Sequence, residues 1–285
     1  MLSSQLPPPA EVRRPQKLLA SLLSAGVLAG SAANSFTESP HQSFHVTHEG
    51  FFGQDTYAGG GDKASHFVDF AIVAKEFAYA YDRLGFSRRA SLFMGFGVST
   101  LAGLVTEIGD GTTYYGFSYD DLVMAVLGAS TATAVAAARL DDLIGFRRGF
   151  LLPPSGNVTC CKVPGKGRDY SNEIQSADLK IAGLARRLDL PVGPLRYLLV
   201  SVTYSTKGYP SGLPELRERQ VGFEIGLNLA IILNDLGVRR DTWWGYALYV
   251  VCDNVRVPFT SVGFRYDLNS ERWRGPDNGH GFATP

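Results

Sequence analysis

The sequence is poor in cysteine and in charge, and both shortages exclude classes of protein. Its three cysteines, Cys160, Cys161 and Cys252, form no metal-type spacing and no disulfide framework, so neither a zinc ribbon nor a disulfide-rich fold is predicted. Basic and acidic residues both number 27, so the net charge is zero and nucleic-acid binding is not expected. Charged residues make up 19% of the chain, below the roughly 25% of soluble domains, which indicates membrane contact or close helix packing.

The N-terminal region has the layout of an export signal. Arg13, Arg14 and Lys17 precede an uncharged run over residues 18–33 that ends in small residues. A retained membrane helix is an equal alternative, because the run approaches the length that spans a bilayer. A lipoprotein would carry its acylated cysteine at position 31, where this chain has Ser31. Anchoring by acylation at this position is therefore not expected.

Helical patterns follow over residues 62–84, 90–106 and 122–138, and the last two segments contain no charge. Gly85 is a stop signal for the first segment and Ser87 a cap for the second. Small residues recur every four positions in the second segment, which favours close helix packing; they are Gly95, Ser99 and Gly103. With the N-terminal run, these segments predict a bundle of about four apolar helices.

Polar residues interrupt these apolar helices at a few places. Asp62, His66 and Asp69 follow one another at i, i+4 and i+7, so a single helical face carries all three, with Lys63 beside them. Two carboxylates end the second helix, where the helix dipole disfavours anions; they are Glu107 and Asp110. Ser118 and Asp121 have the spacing of a capping box, which explains both residues unless they also face the first helix.

Two interpretations of these polar residues remain open. The first is a self-contained ion-pair network that holds the bundle together, for example between Lys63 and Asp110. The second is a site for a divalent metal or for acid–base catalysis, since one imidazole with several carboxylates suits both. It assigns Asp62, His66 and Glu107 as metal ligands and Asp110 or Asp121 as general base. Further binding residues in this interpretation share a polar side chain near the stripe; they are Lys63, Asp69 and Ser118.

Three motifs in this region resemble a known family. They are Asp55-Thr-Tyr-Ala-Gly-Gly-Gly-Asp-Lys-Ala-Ser-His-Phe, Glu107-Ile-Gly-Asp-Gly and Tyr115-Gly-Phe-Ser-Tyr-Asp-Asp-Leu. Together they resemble the YfiM-type family of predicted periplasmic lipoproteins, a bacterial family of unknown function, over about residues 47–130. The order Asp-Lys-x-x-His-Phe, Glu, Ser-x-x-Asp is more distantly similar to VanZ-like membrane proteins.

The resemblance implies an envelope location and a shared polar site. It would carry site status onto seven residues, which are Asp62, Lys63, His66, Glu107, Asp110, Ser118 and Asp121. One polar member of the pattern is missing, because Ala125 stands where an asparagine is expected. For that reason the enzymatic interpretation ranks second.

The second half of the chain reads as β-structure. Proline and glycine mark a linker, and alternating apolar residues over 198–204, 221–230 and 262–268 predict half-buried strands of a small sheet or barrel. For the aromatic residues around 243–249, a core position is favoured over an interfacial belt. Spanning helices and spanning barrels normally belong to different membranes, so membrane contact is assigned to the helices.

The predicted fold class is therefore α+β, with the helical bundle first and the β-rich half second. The predicted segments are 1–40 (signal-like or membrane helix), 41–148 (helical domain), 149–169 (linker), 170–270 (β-rich domain) and 271–285 (disordered tail).

The predicted function is that of a non-enzymatic, membrane-associated protein of the bacterial cell envelope, at the inner membrane or the periplasmic side of the outer membrane. Its β-rich half would bind a ligand or protein partner, and membrane lipid or another envelope component is the expected contact. The alternative is a metal-dependent hydrolase or transferase acting on a lipid-linked or cell-wall substrate. Only this alternative calls for a cofactor, a divalent metal.

Overall fold

A computed structural model describes residues 12–36, 41–150, 169–171, 173–209 and 213–277. In these ranges the chain forms seven α-helices and a seven-stranded sheet, so the predicted α+β class is confirmed. The sequence predicted either a small sheet or a barrel for the second half. The structure has a sheet, because its first and last strands do not pair with each other. Cys160, Cys161 and most of the predicted linker lie outside the described residues, and the division into domains stays a prediction.

The first four helices form the bundle, and the other three accompany the sheet. Their bounds are α1 Arg14–Phe36, α2 Gly61–Arg83, α3 Arg88–Asp110, α4 Tyr119–Ala137, α5 Ile181–Leu188, α6 Leu229–Asp235 and α7 Trp243–Asn254. Local signals fix several ends: Gly85 follows α2 with φ +89°, and the Ser87 hydroxyl accepts from the Ala90 amide at 3.3 Å. The sequence predicted α2, α3 and α4 to within a few residues.

The small residues of α3 bring it against its neighbours. A Cβ on Gly95 would lie 2.6 Å from the Ala74 carbonyl oxygen, and one on Gly103 would lie 2.9 Å from Ala125 Cβ. Between them, Ser99 Oγ donates to the Phe70 carbonyl at 2.7 Å. The predicted packing groove is therefore occupied by α2 on one side and α4 on the other.

Three helices are long and apolar enough to cross a membrane, judged by length and composition alone. They are α1, α3 and α4. Helix α1 packs on α3 and is hydrogen-bonded to α2, since Ser24 Oγ lies 2.7 Å from Tyr81 Oη. Its N-terminal leucines, among them Leu18 and Leu22, are exposed, whereas Leu28 packs against the cluster of Phe70, Ala102 and Ala125.

The strands are arranged in one mostly antiparallel sheet in the order β7-β3-β4-β5-β6-β8-β9, and a two-residue parallel pair, β1 with β2, lies beside the bundle. Their bounds are β1 Val46–Thr47, β2 Phe117–Ser118, β3 Ile144–Phe150, β4 Glu173–Lys180, β5 Leu198–Lys207, β6 Glu218–Leu227, β7 Val255–Arg256, β8 Ser261–Asp267 and β9 Arg272–Asp277. Strand β3 thus starts inside the segment predicted as helical, and β9 pairs with β8 inside the segment predicted as a disordered tail.

The strands alternate as predicted, but their apolar side faces outward. On β6, Gly222 and Glu224 are buried whereas Phe223 and Ile225 are more than half exposed. The prediction of an aromatic core around 243–249 is wrong for Trp243, which is 84% exposed at the start of α7. Alternation identifies two faces of a strand but does not say which of them is covered.

Helix α2 joins the bundle to the sheet. The Phe67 ring packs edge-on against Phe146 of β3 at 5.6 Å, and Asp69 pairs with Arg148 of the same strand. Nearer the helix C-terminus, Lys75 Nζ donates to Asp253 Oδ2 at 2.8 Å. Contacts along most of α2 therefore fix the two halves against each other.

We predict that Gly95→Ala destabilises the bundle by about 1–3 kcal/mol, because the new methyl group has no space beside Ala74 and Ala78. Gly97→Ala is the matched control, since a Cβ there meets nothing within 4 Å and glycine costs about 0.5–1 kcal/mol in a helix. Thermal unfolding in detergent measures both. Equal effects at the two positions would contradict close packing at Gly95.

Candidate functional site

The first turn of α2 enters the site through a sharp bend in the chain. A 3-10 turn over Tyr57–Gly60 precedes the helix, and Gly59 and Gly60 have φ of +60° and +86°. A Cβ on Gly60 would lie 2.8 Å from the Phe51 carbonyl oxygen. Both the positive φ and the lack of space for a side chain therefore require glycine at this position. The bend is followed directly by Asp62 and Lys63, which lie in the first turn of α2 and are both almost fully buried.

Lys63 lies at the centre of a cluster of carboxylates. Its Nζ is 3.0 Å from Asp62 Oδ2 and 2.5 Å from Asp121 Oδ1, and it also donates to Glu49. These partners come from α2, from α4 and from the loop before α2. The pairing of Lys63 with Asp110, given as an example in the sequence analysis, is not formed, because the first turn of α2 faces the first turn of α4.

Ser118 and Asp121 form a helix cap and also reach the site. The Ser118 hydroxyl accepts from the Asp121 amide at 3.3 Å, while the Ser118 amide donates to Glu107 Oε2 at 3.0 Å. The Asp121 carboxylate turns to Lys63. Asp121 therefore faces α2, as a role beyond capping requires, whereas Ser118 reaches the site through Glu107 of α3.

His66 and Glu107 face each other across a small cavity. His66 Nε2 is 3.6 Å from Asp62 Oδ1, and His66 Nδ1 is 3.8 Å from Glu107 Oε1. Nδ1 and Oε1 are buried and have no hydrogen-bond partner in the described part of the chain. The cavity holds about 70 Å³, and Asp110 also lines it. This volume suits a hydrated ion or one polar group of a larger molecule.

Two residues of the site were not predicted from the sequence. Tyr170, just before β4, donates its hydroxyl to Asp62 from 108 positions along the chain. Glu49 lies in a loop without periodicity and contacts Lys63. No spacing rule connects either residue to the helices. We call Glu49, Asp62, Lys63, His66, Glu107, Asp121 and Tyr170 the polar site.

Asp69 lies outside the polar site although it shares a helical stripe with Asp62 and His66. Its carboxylate accepts from Ser65 Oγ at 3.2 Å and pairs with Arg148 of β3. Arg148 also donates to Glu173 Oε2 at 2.6 Å. The contacts of Asp69 therefore belong to the junction with the sheet, and the binding role predicted for it remains untested.

Burial and charge shift the titration of the residues around Lys63. Burial and the nearby carboxylates of Asp62 and Asp121 raise the pKa of Glu49 to about 9, against the attraction of Lys63. Burial alone would raise the pKa of Asp62, but interactions with His66 and Lys63 outweigh it and lower that pKa. Burial also opposes the charged form of Lys63, yet its acidic neighbours raise its pKa. Near neutral pH, Lys63 and Asp62 are therefore ionised and Glu49 is neutral.

Three residues of the polar site have the geometry of a cation site. One ligand atom each from Asp62, His66 and Asp121 lies within 4.8 Å of the others. Carboxylates with one imidazole suit a divalent cation. Glu107 is not one of these three, but it lies next to His66, and Lys63 forms ion pairs with both Asp62 and Asp121. The carboxylates are therefore already paired with Lys63, and together with His66 they also provide the ligand atoms that a metal would need.

Ala125, which stands in place of an expected asparagine, is fully buried one turn after Asp121. It packs in a small apolar cluster with Phe70 and Ala102. One turn further along α4 than Asp121, the bundle interior is therefore apolar. Ala125 does not line the cavity.

Comparison with known proteins finds one family model that is similar to part of the chain. Residues 48–137 match the family model described as "Predicted periplasmic lipoprotein (DUF2279)". The match covers about a third of the 285 residues and includes every member of the polar site except Tyr170. The resemblance noted in the sequence is confirmed over this segment, and the family description agrees with a membrane-associated envelope location. No curated protein and no solved structure matches the chain.

We predict that Glu49→Gln flattens the pH dependence of stability. The Glu49 carboxyl loses its proton near pH 4.5 when unfolded but only at about 9 when folded. Between these values the folded state binds the extra proton, so wild-type stability falls as the pH rises. Glutamine cannot ionise, and the Tm of the variant should decline less from about pH 5 to about pH 9.

Glu215→Gln is the control for this experiment, because Glu215 is exposed. Its Tm should follow the wild-type pH profile. A Glu49→Gln profile parallel to the wild type would show that Glu49 does not hold its proton in the folded protein.

Proposed function

We propose that this chain is a membrane-associated envelope protein whose polar site fastens its helical bundle to a ligand- or partner-binding β-rich half. The match of residues 48–137 to the model of predicted periplasmic lipoproteins supports the location. The proposal is non-enzymatic. The observation that carries it is the enclosure of the Lys63 ammonium by the carboxylates of Asp62 and Asp121, with the protonated carboxyl of Glu49 as a further hydrogen-bond acceptor. Such a set satisfies its own charges without a ligand.

Contacts around the polar site support a fastening role. Tyr170 links Asp62 to the start of β4, and Tyr204 Oη of β5 donates to the Gly59 carbonyl at 2.6 Å. A Cβ on Gly61 would lie 2.4 Å from Thr206 Oγ1, so the first residue of α2 touches β5 directly. The charged cluster and the junction of the two halves are the same place in the fold.

Membrane contact in this proposal falls to the helices. Three of them are long and apolar enough to span, and a serine stands where an acylated cysteine would be. The contacts of α1 with α2 and α3 favour a retained membrane helix over a cleaved signal, since α1 is part of the folded bundle.

We predict that Lys63→Met lowers the free energy of unfolding by about 3–5 kcal/mol, because it leaves buried carboxylates without their counter-ion. Tyr170→Phe should cost less but should speed hydrogen exchange of the amides in Glu173–Lys180, since it cuts the link to Asp62. Thermal unfolding and hydrogen-exchange mass spectrometry on the full chain in detergent measure the two effects.

Arg239→Met is the matched control, because Arg239 pairs with Asp241 on the surface. It should leave stability unchanged. Unaltered stability of Lys63→Met, or exchange in β4 that does not respond to Tyr170→Phe, would refute the fastening role.

A second candidate function has its own support in the orphaned atoms of His66 and Glu107. In this proposal the chain is a metal-dependent hydrolase or transferase that acts on a lipid-linked or cell-wall substrate. Asp62, His66 and Asp121 would hold a divalent cation, which would polarise the substrate or a water molecule. Glu107 remains a ligand candidate beside His66, and Asp110 lines the same cavity as a candidate general base.

The two functions make opposite predictions for cation binding. If the second holds, detergent-purified protein binds Mn²⁺ stoichiometrically, and His66→Ala abolishes binding while circular dichroism is unchanged. Asp69→Asn is the matched control, because Asp69 lies on the same helix but pairs with Arg148 instead. Electron paramagnetic resonance of free Mn²⁺ measures binding. A folded wild type that binds no Mn²⁺ would eliminate the second function.

A further inference from the structure

The sheet covers its polar face and exposes its apolar one. On β5, β6 and β8, apolar residues form two cross-strand rows that are 42–55% exposed. The rows are Val202–Phe223–Phe264 and Val200–Ile225–Val262. We call these six residues the exposed sheet face. A contiguous apolar surface of this kind marks a contact with another apolar phase.

The opposite face is a network of buried charges. Arg256 Nη2 of β7 donates to Glu224 Oε2 of β6 at 2.6 Å, although β7 and β6 are not neighbours in the sheet. Arg265 Nη2 lies 3.3 Å from Glu224 Oε1, and Arg147 Nε donates to Asp178 Oδ2 at 2.6 Å. The sheet therefore bends around its polar face. In water the apolar face of a sheet is normally the one that is enclosed.

The exposed face is long enough to reach well into a hydrocarbon layer. From Val221 to Leu227, β6 rises about 20 Å at about 3.4 Å per residue, somewhat less than a membrane strand needs to cross the roughly 25 Å apolar band. Exposed tryptophans lie toward the two ends of this span. Trp273, 64% exposed, packs on Tyr266 at the end near the polar site, and Trp243 begins α7 at the other end. Aromatic residues concentrate at both membrane interfaces.

Charge at the Trp243 end fits lipid headgroups. Arginines from both halves meet there: Arg83 donates to the Arg240 carbonyl, Arg88 to the Ala136 carbonyl and Arg187 to the Arg139 carbonyl. We call this region the basic end; it includes Arg83, Arg88, Arg89, Arg139, Arg187 and Arg240, which outnumber the neighbouring carboxylates of Asp82, Asp141 and Asp142. Basic residues beside an apolar surface attract anionic phospholipid headgroups.

We infer that the exposed sheet face contacts the acyl chains of a phospholipid bilayer, with the basic end at its headgroups. The inference rests on the membrane association proposed above and extends it from the helices to the sheet. The three strands that carry the face are each paired on both sides, so no bare strand edge enters the hydrocarbon. On the outer strand β9, the charged side chains of Arg272 and Arg274 favour a position at the headgroups or in water.

Spin labels on the full chain test this contact. Cys160, Cys161 and Cys252 are replaced by serine, and a nitroxide is attached at Ile225→Cys or Phe264→Cys. The protein is reconstituted into vesicles of phosphatidylethanolamine and phosphatidylglycerol. Oxygen, which dissolves in hydrocarbon, should relax both labels several-fold more effectively than a water-soluble nickel complex. A label at the exposed Glu215 should show the reverse preference.

A label at Leu101, half-exposed on α3, separates this inference from the proposed function. Oxygen preference at Leu101 but nickel access at Ile225 and Phe264 would overturn the inference and leave the helices in the membrane. Exclusion of both reagents from the sheet labels, with dipolar broadening between chains, would overturn it in favour of a second copy of this chain on the face. Nickel access at Leu101 with oxygen preference on the sheet would contradict the helix contact and support the inference.

Discussion

A buried ammonium group has to be matched by anions, and the position of Lys63 imposes this requirement on much of the fold. Its Nζ is out of contact with water, so carboxylates have to arrive from wherever the chain can supply them. Asp62 is adjacent and Asp121 comes with the first turn of α4, while the neutral carboxyl of Glu49, from the loop before α2, accepts a further hydrogen bond. The bundle can close around Lys63 only when all of these segments are in place.

The same rule operates where the sheet meets α7. Asp253 lies between Lys75 Nζ at 2.8 Å and Lys180 Nζ at 2.7 Å, so it ties α2, α7 and the end of β4 together. Attraction to both lysines outweighs burial and lowers the pKa of Asp253. Glu224 is likewise shared by Arg256 and Arg265. The chain has few charges, and it buries many of them in pairs while apolar side chains occupy much of its surface.

Local physics made most of the secondary structure predictable and left the tertiary partners unpredictable. Ser87 and Ser118 cap their helices as their spacing indicates, because a cap depends on residues three positions away. Tyr170 and Glu49 reach the site through chain closure, which leaves no periodic signal. Asp69 shares a helical stripe with Asp62 and His66, but its carboxylate pairs with Arg148 of the sheet. Spacing along a helix therefore does not show what each side chain of the stripe contacts. The outward apolar side of β6 depends on the surrounding medium, which a single sequence does not specify.

The arrangement of charge along the molecule bears on where the polar cavity faces. Helices α2, α3 and α4 run between two ends, with the cavity at one and the basic end at the other. Basic residues mark the cytoplasmic side of membrane proteins with spanning helices. For the membrane-spanning bundle proposed above, this rule predicts that the cavity with His66, Glu107 and Asp110 opens toward the periplasmic side.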